Sequence, residues 1–94
     1  MRLIENSFIA KLAARKLKEK AAAVVIGRTV YLWGTDKTSF LNNKKWVKHE
    51  QEHIKQYRKY GTCFFLMLYL YYSFRYGYYN NPLEVEARKA ENKD

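Results

Sequence analysis

Cysteine is almost absent from this chain. Cys63 is the only one, so no intramolecular disulfide can form and the thiol implies nothing about compartment. Acidic residues are also scarce, nine against 18 basic ones, for a formal charge of +9. That imbalance suits an acidic partner such as nucleic acid, an anionic membrane or an acidic substrate, although lysines spread along a chain also serve plain solubility. The N-terminus lacks an apolar run leading to a small-residue cleavage site, and Arg2 and Glu5 stand near its start, so no signal peptide is expected. The longest apolar run, Thr62 to Tyr76, spans about 22 Å as a helix, short of the ~30 Å hydrocarbon core. A cytoplasmic protein without a transmembrane span is expected. Proline occurs once and histidine twice.

What is present reads as one small domain covering residues 1–94, with no internal repeat. Hydrophobic residues make up 48% of the chain, enough for a core, and nine tyrosines suggest rings with polar tips lining a core or a groove. From about Asn6 to Ala23, Ile9, Ala13, Leu17 and Ala21 recur every fourth position, which predicts an amphipathic covering helix with a solvated basic face. Val24 to Ile26 and Val30 to Trp33 flank Gly27-Arg28, the pattern of a hairpin with a two-residue type II′ turn. Gly34 to Ser39 reads as a polar loop. A helix should then start at Asn42 or Asn43 and stop at Gly61, followed by the apolar helix 62–76, buried or facing another copy of the chain, and ended by Gly77. Tyr78 to Asn81 is a connector. Asn81 and Pro82 open the last helix as N-cap and N1.

One stretch spells a chemistry. His49 and His53 stand four apart in the middle of the expected helix, on one face and one turn from each other, so both imidazoles can reach a single metal ion. Glu50, beside the first, can reach a water on that metal and serve as general base. The spacing is H-E-x-x-H. Catalytic zinc takes three protein ligands and keeps a fourth position for water. No further histidine exists, and the acidic residues best placed are Glu84 and Glu86, on the helix behind Pro82. Ala87, one turn from Glu84, would let that helix come close, which favours Glu84. As N3 residue Glu84 could instead close a capping box with Asn81, and Glu86 could be a solvated charge. An oxyanion donor is also required, with Tyr76, Tyr78 and Tyr79 as candidates.

HEQEH followed about thirty residues later by NPLEVEAR resembles the gluzincin group of zincin metallopeptidases, in which a helical glutamate completes a His-His-Glu set. The whole chain is similar in layout to single-domain minigluzincins. The resemblance implies an α+β fold, mainly helical and zincin-like, with a short β-hairpin, the H-E-x-x-H helix and a C-terminal glutamate helix. It implies zinc-dependent peptide-bond hydrolysis, with His49, His53 and Glu84 as ligands and Glu50 as base. A peptide or protein substrate is then expected to pair with the hairpin's edge strand. A homo-oligomer through helix 62–76 is a further expectation. Nucleic-acid or membrane binding is the lesser reading, and no recognised nucleic-acid motif occurs. The chain departs from the family pattern at Glu52 and Lys55, where uncharged or apolar residues are usual. It also has Arg88 four after Glu84, where an acidic residue often orients a ligand histidine.

Overall fold

The computed structural model describes residues 1–93, and the element that organises them is a central strand. Strand β1 (Arg2–Ile4) leads into helix α1 (Phe8–Leu17), then strands β2 (Ala22–Ile26) and β3 (Thr29–Trp33) and helix α2 (Lys37–Asn42). Helices α3 (Lys44–Tyr60), α4 (Thr62–Asn80) and α5 (Pro82–Ala90) complete the chain. The fold is α+β. The sheet order is β1-β3-β2, with β1 parallel and β2 antiparallel to β3. Val30 and Leu32 on β3 are fully buried, and the core gathers Val25, Phe40, Tyr57, Phe65 and Leu83 around them. Helix α1 packs against β2 and β3, and α3 packs against β2. Tyr57 ties α3 to the sheet by donating its hydroxyl to the Val25 carbonyl at 2.8 Å.

The hairpin forms as its turn residues dictate. Gly27 has φ 65° while Arg28 stays out of the positive region, the type II′ pattern. The first helix, by contrast, is shorter than expected. It ends at Leu17, where Lys18 turns left-handed (φ 58°) and Glu19 N–H closes onto the Ala14 carbonyl at 2.9 Å. Ala22 and Ala23 belong to β2, paired with Trp33 and Leu32, because a sheet partner outweighs the modest helix preference of alanine. Residues 37–39, expected in a loop, begin α2. Asp36 caps it by accepting from Ser39 N–H at 2.7 Å, and Phe40 anchors it with no exposure. Strand β1 was not expected from sequence at all, being three residues long.

Helix α3 starts and stops as predicted, and α5 starts as predicted. Asn43 Oδ1 accepts from Trp46 N–H at 3.1 Å and Gly61, at φ 81°, ends α3. Asn81 Oδ1 accepts from Leu83 N–H at 2.9 Å in front of Pro82. No capping box forms with Glu84, whose oxygens are engaged elsewhere. Gly77 breaks α4, with φ 81° and ψ 170°, and leaves a continuous helix over 62–76. Of the two expectations for that helix, burial within the chain fails. Phe65 is its only buried residue, and Phe74 is 94% exposed.

Candidate metal centre

Helix periodicity and one helix crossing bring the candidate residues together. The i, i+4 spacing stacks His49 and His53 with ring centroids 5.1 Å apart. Helix α5 packs along α3, and Ala87 and Ala90, nearly unexposed, are the small residues that a close helix pair needs. Glu84 then reaches across. Its Oε1 lies 2.9 Å from His49 Nε2 and 3.1 Å from His53 Nε2, and its Oε2 accepts from the Tyr69 hydroxyl at 2.5 Å. One ligand atom from each of His49, Glu50 and His53 also lies within 4.8 Å of the others.

The outer ring nitrogens are held just as firmly. His49 Nδ1 faces Glu91 Oε2 at 2.7 Å, and His53 Nδ1 faces Gln56 Oε1 at 2.9 Å. Gln56 is oriented by its own amide, which donates to the Leu83 carbonyl at 3.1 Å and to Glu86 Oε1 at 3.2 Å. Each imidazole thus meets an acceptor at both nitrogens. Without a cation, each ring satisfies both acceptors only as imidazolium. With Nδ1–H committed outward, Nε2 of the neutral ring points its lone pair inward. That is the tautomer a metal ligand requires.

The charges agree with this arrangement. Burial opposes a charge on His49, but the hydrogen bond to Glu84, the nearby Glu50 charge and the hydrogen bond to Glu91 outweigh it and push the pKa up to about 9. His53 is raised too: burial opposes its charge, and the hydrogen bond and charge of Glu84 overcome it. Glu84 moves the other way. Burial would raise its pKa, yet the hydrogen bonds from both histidines hold the carboxyl well below the usual range. Glu50 is almost fully buried, and desolvation pushes it up to about 7 against the pull of the His53 and His49 charges. Two protonated rings against one shared carboxylate oxygen form a site in which a divalent cation can take the place of two protons.

Of the residues singled out from sequence, His49, His53, Glu50 and Glu84 come together. Glu86 does not: it lies two positions further along α5, on another side of the helix, and holds Gln56. Arg88 turns outward, its guanidinium 3.9 Å from the Tyr79 ring, so the position four after Glu84 supplies no acceptor. Glu91, seven after Glu84 and two turns on, supplies it to His49 instead. Glu52 and Lys55 pair with each other at 3.7 Å, with Lys55 70% exposed. Sequence reasoning missed Glu91, Gln56 and Tyr69. The first two carried a signal, i+7 from Glu84 and i+3 from His53, whereas nothing distinguishes Tyr69 among nine tyrosines.

A cleft of about 650 Å³ opens beside the centre, bordered by Glu19, Ala22, Trp46, His49, Glu50 and Tyr78. Strand β2, on the outer edge of the sheet, forms one of its walls. A larger groove of about 960 Å³, lined by Arg2, Arg28, Lys48, Lys55 and Arg58, contains neither histidine and belongs to a different side of α3. No protein-family model, curated protein or solved structure matches the chain.

Proposed function

We propose that this chain is a zinc-dependent metallopeptidase, with His49, His53 and Glu84 as metal ligands and Glu50 as general base. The single observation that carries the reading is the shared position of Glu84 Oε1, 2.9 and 3.1 Å from two Nε2 atoms whose partner nitrogens are both held by acceptors. Bonds of about 2.0–2.2 Å to a tetrahedral zinc place two ligand atoms ~3.4 Å apart, within about half an ångström of those separations. Two imidazoles and a carboxylate are also a donor set that zinc enzymes use. A bound zinc ion supplies a water acidified to a pKa of about 7 and polarises a carbonyl oxygen.

The protein's own groups do the rest. Glu50 is buried beside both histidines, and burial above all holds its carboxyl up, at about 7 in the metal-free protein. Beside a bound cation it is drawn toward the charged form that a base requires. It accepts the proton of the attacking water and returns it to the leaving amine. Tyr69 is committed to Glu84 Oε2 and fixes that carboxylate. Tyr78 borders the cleft beside His49 and Glu50, while Tyr79 packs on Arg88 and Tyr76 on Tyr72, so Tyr78 is the donor placed to stabilise an oxyanion. Strand β2 is an edge strand; Tyr57 takes its Val25 carbonyl, and its Ala22–Ala23 end borders the cleft, where an extended peptide can add main-chain hydrogen bonds.

Glu50→Gln keeps the shape and removes the base. Peptide-cleaving activity is expected to fall by about 10²–10⁴ while the bound metal is retained. Unchanged turnover in this variant contradicts the assignment. Tyr78→Phe is expected to lower kcat by about 10²–10³ with a smaller change in KM.

A further inference from the structure

Helix α4 presents two unlike faces. One builds a wall of the candidate centre: Phe65 is buried with its ring 6.2 Å from His53, and Tyr69 reaches Glu84. The other is open. At 100° per residue, Phe64, Leu66, Met67, Leu70, Tyr71 and Phe74 fall within an arc of about 160°. Their exposures run from 38% at Leu66 to 94% at Phe74. No charged residue interrupts the arc, and the exposed Cys63 lies inside it. Scattered exposed apolar groups are ordinary, whereas a contiguous stripe about 15 Å long marks a surface that something covers.

Charge decides what covers it. Between Thr62 and Asn80 there is no acidic residue, and Arg75 is the only charged one. Arg75 lies one turn past Tyr71, at the edge of the arc, with its guanidinium 5.7 Å from the Tyr76 ring. At the other end Lys59 Nζ sits 5.1 Å over Tyr60, whose ring lies 6.1 Å from Phe64. Pairing α4 with a second copy would set cation beside cation whether the helices ran parallel or antiparallel, in a chain already carrying +9. An anionic bilayer reverses that sign. Its acyl boundary accepts the apolar stripe, tyrosines suit the headgroup level, and the flanking cations meet lipid phosphates. No helix among the described residues is long and apolar enough to cross a membrane, so the fit is in the plane of the surface.

We propose that α4 seats the chain on an anionic membrane surface, with its open face in the headgroup region and Phe65 and Tyr69 holding the candidate centre on the opposite side. The stripe and its flanking cations carry this, independently of any metal. The test uses the whole chain, labelled at Cys63 with a polarity-sensitive fluorophore, and two kinds of vesicle: phosphatidylcholine alone, and phosphatidylcholine mixed with phosphatidylglycerol. Expected are a blue shift and co-sedimentation with the anionic vesicles, much weaker on the neutral ones. Met67→Ser with Phe74→Ser, both at exposed positions, should weaken partitioning at least about a hundredfold. Lys59→Gln with Arg75→Gln should weaken it roughly thirtyfold. Circular dichroism checks that both variants stay folded. Failure to bind anionic vesicles overturns the proposal, as does equal binding by either variant. A concentration-dependent dimer that the Met67→Ser, Phe74→Ser variant dissolves overturns it in favour of a second copy. None of these readouts depends on bound zinc, so the peptidase reading stands or falls separately.

Discussion

His49 and His53 each present one ring nitrogen to Glu84 and the other to an acceptor that is itself fixed. Under the metal reading, the outer acceptors set tautomer and ring orientation, and their loss weakens binding without removing a ligand. Glu91→Ala is expected to lower zinc affinity by about 10–100-fold in a competition titration with a chromophoric chelator. Glu86→Ala, which removes an acceptor from the Gln56 amide, should change it by less than about tenfold. Equal effects would place the two glutamates wrongly. The pKa shifts give a second prediction, for protein treated with chelator. Glu84, held below its ordinary 4.5, stabilises the fold above that pH and loses the effect as pH falls. Glu50, raised from 4.5 to about 7, subtracts stability across that interval as pH rises. His49, raised from 6.5 to about 9, contributes fully below 6.5 and loses its contribution as pH climbs to about 9, with His53 moving in the same direction. The site's contribution is therefore greatest near pH 4.5 and declines toward pH 9. Zinc must displace those protons, so the rise in Tm on adding zinc should grow from pH 6 to pH 9. A zinc-induced rise that shrinks over that range would contradict the proton inventory.

At the scale of elements, the parts of the fold that sequence made legible are those with local rules. The Asn43 and Gly61 boundaries of α3, the Asn81-Pro82 start of α5 and the Gly27 turn follow from side-chain caps and backbone freedom, and each formed where expected. Legibility ended where tertiary pairing decided the matter. Ala21, Ala22 and Ala23 look like helix, but β3 needed an edge partner. Strand β1 is too short to show alternation, and α2 hides behind the polar run Asp36 to Ser39, with Phe40 as its one buried anchor. The candidate site divides in the same way. Its histidine pair follows from helical spacing, and the choice of Glu84 over Glu86 leaned on Ala87 beside it. Glu84 and Glu91 reach the histidines only through the α3–α5 crossing, as Tyr69 reaches Glu84 through the packing of α4. Gly34 gives an element-scale test of the β2 entry. A Cβ there would stand 2.2 Å from the Lys20 carbonyl oxygen, and φ is 78°. Gly34→Ala is expected to destabilise by about 1–3 kcal/mol in denaturant melts. A neutral result would mean that β2 does not pass so close to the end of β3.

For the whole molecule, three helices converge on a buried carboxylate that no local rule requires. Glu84 could have capped its own helix; instead, with 4% exposure, it is held by two imidazoles and a phenol from two other helices. A chain this small gains little from gathering four ionisable groups, three of them buried, unless their arrangement serves a ligand. The proposed ligand is a metal ion, and everything proposed about turnover depends on it. The most direct measurement is the metal content of the purified chain by elemental mass spectrometry, with His49→Ala and Glu84→Ala alongside. Expected is about one zinc per chain in the parent and a loss of most of it in both variants. Less than about half a zinc per chain, unchanged by either substitution, would contradict the centre.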